Sequence, residues 1–151
     1  SNLLSLHGLE GVGNVGVASQ GYSIWISGNS ALQSLEGLAG LRGSLPGVLT
    51  IFGNAELLSL HGLEGIETVG KDDNGYSIWI AGNGALLSVE GLAGLRGSLP
   101  GALHIVNNSN LLSLHGLEGV GNVGRAFGNS ICIFDNGALL SVEGLAGLRG
   151  S

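Results

Sequence analysis

Three histidines recur in one setting: His7, His61 and His115 each open the tetrapeptide His-Gly-Leu-Glu, which places Glu10, Glu64 and Glu118 three residues further on. Imidazoles and carboxylates ligate metals and exchange protons, so these groups are the first candidates for chemistry. In the intervening units the histidine position holds Glu36, Glu90 and Glu143. If units stack at strand spacing, each imidazole lies beside carboxylates of the units above and below, while successive histidines stand roughly 10 Å apart. A metal ion needs its ligands within about 2.0–2.2 Å, so a charge ladder is expected rather than a metal site. Such a ladder raises the histidine pKa values and stabilises the stack at mildly acidic pH. Glu10, Glu64 and Glu118 repeat one geometry three times. Catalytic carboxylate pairs need distinct environments about 5–10 Å apart, so the repetition speaks for structure.

The other reactive residues are isolated. Lys71-Asp72-Asp73-Asn74-Gly75 has the acids of a calcium loop, but its counterparts Val17-Ala18-Ser19-Gln20 and Arg125-Ala126-Phe127-Gly128 lack them, and a solvated turn is expected. Cys132 is the single cysteine and has no His/Cys cluster around it, so it reads as a plain thiol. Asn107-Asn108-Ser109 matches a glycosylation sequon, and Gly11-Val12-Gly13 is not followed by a phosphate-binding helix. No catalytic residue, metal or cofactor is therefore expected.

Composition narrows the partners. The net charge is -6, and the cations Arg42, Lys71, Arg96, Arg125 and Arg149 are too scattered to form a phosphate-binding stripe, so nucleic acid is not an expected partner. No apolar run reaches the length of about 18 residues that spans a bilayer, and the first residues do not show a charged stretch followed by an apolar one. Hydrophobic residues make up 44%, enough for a core, and charged residues only 11%, which disfavours a helix bundle with a charged outer face. Glycine supplies 30 of 151 residues against a usual share of about 7%, without a collagen-like triplet.

A repeat positions all of these residues. Leu-Leu-Ser-Leu-His-Gly-Leu-Glu-Gly occurs at 3–11, 57–65 and 111–119, and Glu-Gly-Leu-Ala-Gly-Leu-Arg-Gly-Ser at 36–44, 90–98 and 143–151. Both are variants of one unit of about 25–29 residues, so the 54-residue double repeats 3–56, 57–110 and 111–151 supply about five turns of a single repeat domain. The pattern runs into both ends, and the segment is expected to belong to a longer repeat protein. Gly8, Gly37, Gly62, Gly91, Gly116 and Gly144 form one column and Gly11, Gly40, Gly65, Gly94, Gly119 and Gly147 another, at bends or where adjacent turns crowd. Arg42, Glu67, Arg96, Gly121 and Arg149 form a column of opposed charges expected to fix register.

Each turn carries a period-2 segment: Ile24-Trp25-Ile26, Leu49-Thr50-Ile51, Ile78-Trp79-Ile80, Leu103-His104-Ile105 and Ile131-Cys132-Ile133. These read as strands with Ile and Leu inward, and a second short strand is expected at each Leu-x-Ser-Leu. The longer loops, Val12 to Ile24, Ile66 to Ile78 and Val120 to Ile131, all fall at one corner. Outward columns then hold Trp25, Thr50, Trp79, His104 and Cys132, and beside them Ser27, Phe52, Ala81, Val106 and Phe134. A mostly apolar outer face of this kind marks an interface. The interaction face is assigned to Trp25, Thr50, Phe52, Trp79, His104, Val106 and Phe134, as a protein-docking surface or a sugar platform built on Trp25 and Trp79, unless further chain covers it.

The pattern L-x-I-x-x-N-x-x-L-x-S-L-x-G-L resembles the unit of the receptor L-domain and, more generally, of the leucine-rich repeat, over essentially the whole chain. The resemblance implies an all-β, right-handed parallel β-solenoid with Asn29, Asn54, Asn83, Asn108 and Asn136 stacked in one corner, each amide bonding the backbone of neighbouring turns. It also implies an extracellular or cell-surface setting. The expected function is a non-enzymatic structural module that binds a protein partner or neighbouring copies through its outer sheet face. The alternative is a ligand- or glycan-binding receptor-type ectodomain.

Overall fold

In the computed structural model, which describes residues 3–149, the chain winds as a parallel β-solenoid of about five turns. Ser1, Asn2, Gly150 and Ser151, at the outer ends of the repeats, lie outside the described residues. One side of every turn contributes a strand to a five-stranded parallel sheet: β1 (Tyr22–Ser27), β3 (Val48–Phe52), β5 (Tyr76–Ala81), β7 (Ala102–Val106) and β9 (Ile131–Phe134), in that order. Register matches the repeat, with Trp25 beside Thr50, Thr50 beside Trp79, Trp79 beside His104 and His104 beside Cys132. The inward Leu49, Ile51, Ile78, Ile80, Leu103 and Ile105 are fully buried, as the alternation requires, whereas Ile131 in the last strand, expected inward as well, is 37% exposed and Ile26 and Ile133 are only partly buried. Each fully buried side chain contributes about 1.5–3 kcal/mol by leaving water.

The second regular strands are not where the sequence predicts them. They follow the glycine corner, as β2 (Gly43–Leu45) paired with β4 (Ile66–Val69) and β6 (Gly97–Leu99) paired with β8 (Val120–Val123). β4 and β8 thus occupy the start of two segments expected to be loop. At Leu-x-Ser-Leu backbone rungs join neighbouring turns: Leu58 N–H donates to Gln33, Leu87 to Leu58, Leu112 to Leu87 and Leu140 to Leu112, at 3.0–3.1 Å, and an isolated parallel bridge pairs Ser113 with Ser141. Pairing this short does not extend into a strand, because the chain enters its corner immediately afterwards. The leucines of this side, including Leu32, Leu35, Leu57, Leu60, Leu86 and Leu114, nevertheless complete the core.

Two corner types alternate, and this accounts for the 54-residue period. Glu36–Leu38, Glu90–Leu92 and Glu143–Leu145 are short 3-10 turns. In the His-Gly-Leu-Glu corners the glycine instead takes the left-handed conformation, with φ of 101°, 109° and 108° at Gly8, Gly62 and Gly116, which only glycine adopts at little cost. Most other column glycines answer to crowding. A methyl group on Gly37, Gly91 or Gly144 would land on the carbonyl oxygen of Leu6, Leu60 or Leu114 in the preceding turn, whereas one on Gly11 would meet nothing within 4 Å.

The opposite corner is held by the asparagine ladder. Backbone N–H of Asn29, Asn54, Asn83 and Asn108 donates to Oδ1 of the asparagine one turn on, at 3.1, 3.0, 3.1 and 3.0 Å. The side-chain Nδ2 of Asn54, Asn83, Asn108 and Asn136 donates back to Ile26, Ile51, Ile80 and Ile105 at 2.9–3.1 Å. Asn54, Asn83 and Asn108 are wholly buried, and these bonds satisfy what water no longer can.

Candidate functional site

The strongest candidate lies on the outer face of the five-stranded sheet. A hollow of about 340 Å³ is lined by Tyr22, Trp25, Thr50, Phe52 and Trp79. Thr50 sits on its floor between two indoles, because Trp25 and Trp79 occupy the strands on either side. The backbones of the two strands that carry them lie two strand spacings apart, about 9.6 Å.

Tyr22 and its repeat partner Tyr76 were not foreseen. Strict alternation turns Tyr22 inward with Ile24 and Ile26. Instead the register slips between Tyr22 and Ile24, and again between Tyr76 and Ile78, by one bulged residue in each strand. Ser23 and Ser77 take those positions, and their hydroxyls accept the N–H of Gly47 and Gly101 at 2.7 and 2.8 Å. A bulge of one residue reverses the facing of what precedes it. Both tyrosines therefore join the outer face, with ring centres 4.5 Å (Tyr22–Trp25) and 5.1 Å (Tyr76–Trp79) apart and the same 39° tilt. The sequence signal was the shared Tyr-Ser-Ile-Trp-Ile, whose serine lies between an outward Tyr and an inward Ile.

The residues assigned to the face divide by exposure. Trp25, Phe52 and Phe134 are 57%, 50% and 54% exposed, Trp79 and His104 are half-buried, and Thr50 and Val106 lie buried within the columns instead of presenting themselves. Trp25 Nε1 donates to Ser27 Oγ at 2.8 Å. The position equivalent to Ser27 on β5 is Ala81, and Trp79 Nε1 has no partner. Thr50 Oγ1 and His104 Nε2 are likewise buried without a hydrogen bond, so all three orphaned side-chain atoms among the described residues belong to one outward column. Burial lowers the His104 pKa and raises that of Tyr76, which packs edge-on against it at 4.7 Å. The charges of Asp72 and Cys132 add to the rise at Tyr76.

The His/Glu groups are wired differently from the expected ladder. His7, His61 and His115 Nδ1 lie 3.1, 2.8 and 2.8 Å from Glu10, Glu64 and Glu118 of their own corner. The second carboxylate oxygen accepts the N–H of Gly8, Gly62 or Gly116 at 2.8 Å. Each glutamate thus clasps the left-handed glycine and the imidazole together, a local closure that stacking alone does not require. The hydrogen bond to Glu118 lifts the His115 pKa against a smaller effect of burial, and the charges of Glu118, Glu143 and Glu90 add to it, so neighbouring turns contribute at longer range. Burial pushes Glu118 up, but the hydrogen bonds from His115, Gly116 and its own backbone outweigh it and hold the carboxyl below its ordinary range.

The arginine column does not pair with carboxylates: among the described residues the charged-type contacts are the three His–Glu hydrogen bonds, and none involves an arginine. Arg42 donates to the carbonyls of Ala39 and Leu41, closing its own corner. Asp72 is buried, not solvated, and its Oδ1 accepts N–H bonds from Asn74 and Tyr76 at 3.0 and 2.8 Å, which shapes the turn. Among the described residues no group of three His, Cys, Asp or Glu side chains is arranged to hold a metal, and no helix is long and apolar enough to cross a membrane. Compared with known proteins, the chain matches no family model, no curated protein and no solved structure.

Proposed function

We propose that the chain is a non-enzymatic interaction module, a rigid repeat scaffold that docks a protein partner, or a neighbouring copy, on the outer face of its five-stranded sheet. The observation that supports this is the aromatic hollow: large rings stand exposed on one side of a sheet whose other side is filled by the core. Exposed apolar patches of this kind mark interaction sites, and aromatic residues concentrate binding energy. The receptor L-domain-like or leucine-rich-repeat reading, with an extracellular or cell-surface setting, is the finer form of this proposal and rests on the Leu/Asn unit of each turn. Glycan binding is the second reading, supported by two indoles that flank the Thr50 hydroxyl in the manner of a stacking platform.

The test is a random peptide array and a glycan array probed with the native chain and with Trp25→Ser/Phe52→Ser. Both side chains are about half exposed, so the substitutions leave the core intact. Peptide spots lost in the variant support docking, and glycan spots lost in the variant support the second reading. Identical patterns for both proteins remove the sheet face from either role.

A further inference from the structure

We propose that the hollow between Trp25 and Trp79 receives a proline-rich segment of a partner protein in the polyproline II conformation; this rests on the docking reading above and names its ligand class. Three properties of the site lead there. The first is shape. A polyproline II chain repeats every three residues with a rise of about 3.1 Å each, hence about 9.3 Å per turn. The strands that carry Trp25 and Trp79 lie two strand spacings apart, about 9.6 Å, with β3 between them. A segment laid across the strands, along the solenoid axis, places one ring in the hollow over Thr50 and its equivalent one turn later beyond Trp79, above His104.

The second is hydrogen-bond polarity. An indole N–H only donates. The orphaned Trp79 Nε1 therefore calls for an oxygen, and the Thr50 hydroxyl, on a side chain that is 5% exposed, can donate to one as well. Proline has no N–H, and a polyproline II chain makes no internal hydrogen bonds, so it offers carbonyl oxygens without competing donors. Donors without partners on the protein meet acceptors without partners on the ligand. Both atoms are buried in the unbound chain, so docking requires side chains of the hollow to shift, as is common at interfaces.

The third is charge. The five residues that line the hollow carry no formal charge, and burial keeps the neighbouring His104 toward its neutral form. An uncharged, ring-bearing chain complements that lining, whereas a charged segment would lose hydration with no counter-charge to meet it. Proline also enters with its φ already restricted, so less conformational entropy is lost on docking.

The experiment titrates a blocked nonaproline peptide into the whole chain by calorimetry, with a glycine-serine peptide of equal length as control. Saturable binding by nonaproline alone is expected. It should weaken about five- to tenfold in Thr50→Val and in Trp79→Phe, each of which removes one donor while keeping the ring or the shape. Ala81→Ser should weaken it as well, by giving Trp79 the partner that Ser27 gives Trp25. That variant leaves every ring in place, so its effect is read even if Trp79→Phe fails to fold, which circular dichroism reports. Equal heats for both peptides, no heat up to about 1 mM, or indifference to Thr50→Val and Ala81→Ser overturns the proposal. On the peptide array, Trp25-dependent binding confined to peptides without proline overturns this inference and leaves the docking reading standing. The absence of any Trp25-dependent peptide removes both.

Discussion

Trp25 and Trp79 occupy equivalent positions two turns apart, yet a single hydroxyl group separates their chemistry. Ser27 accepts the Trp25 N–H, and Ala81 leaves that of Trp79 unpaired. An unpaired buried donor costs about 1–3 kcal/mol, so Ala81→Ser is expected to raise the unfolding free energy by about 1 kcal/mol in urea denaturation; a loss of stability would contradict the pairing. The His115–Glu118 clasp makes a second prediction at this scale. The His115 pKa is raised above its ordinary 6.5, so its contribution is full below that value and disappears as pH rises through the folded-state pKa. The Glu118 pKa is lowered from 4.5, so its contribution is present above 4.5 and disappears as pH falls through the folded-state pKa. The pair therefore supports the fold best between about pH 4.5 and 6.5. Melting temperatures across pH should decline more shallowly above that window in His115→Gln than in the native chain, and an NMR titration should place the His115 pKa above 6.5.

At the scale of elements, the corners decide stability more than the strands do. Asn83 accepts the N–H of Asn54 and donates to Ile51, all in a fully buried corner. Asn83→Ala strands both groups, and a loss of about 2–4 kcal/mol is expected by chemical denaturation, well above that of Leu87→Ala on the exposed side of its turn. A column glycine and a glycine outside the columns predict a contrast between two substitutions of one chemical type. Gly91→Ala drives a methyl group into the Leu60 carbonyl, while Gly13→Ala meets nothing within 4 Å and carries no positive φ. The first is expected to lose about 1–3 kcal/mol and the second to stay within about 0.5 kcal/mol; similar melting temperatures for both would show that the turns separate freely.

Over the whole molecule, each turn touches chiefly its neighbours, and stability is the sum of turns and the contacts between them. The central turns are packed on both sides: Leu57, Leu60, Ile78, Ile80, Leu86 and Leu103 are all fully buried, while Ile26 and Ile133 are only partly so. Amide hydrogen exchange should therefore be slowest in β3, β5 and β7 and faster in β1 and β9, with uniform protection across the five strands as the result that would refute a turn-by-turn build-up. This stacking fixes the separation of the strands that carry Trp25 and Trp79, since β1, β3 and β5 pair in unbroken register from Ile24 to Ser27 and its equivalents.

Much of this was legible in the chain itself. The number of turns, the parallel strands at Ile-Trp-Ile and its equivalents, the inward aliphatic columns and the asparagine positions all follow because every turn repeats the same residues at the same phase of a period-2 pattern. Repetition converts a one-dimensional pattern into a stack. What only the tertiary structure decided are choices among local alternatives that a pattern leaves equal. His115 had carboxylates available within its corner and on neighbouring turns, and the left-handed Gly116 brought Glu118 within hydrogen-bond reach. Tyr22 and Tyr76 changed faces because Ser23 and Ser77 bulged to bind Gly47 and Gly101, 24 residues away in each case. That bulge brings Tyr22 into the lining of the hollow, and a bulge is selected by the hydrogen-bonding needs of the adjacent turn, which become physical only once the turns lie side by side.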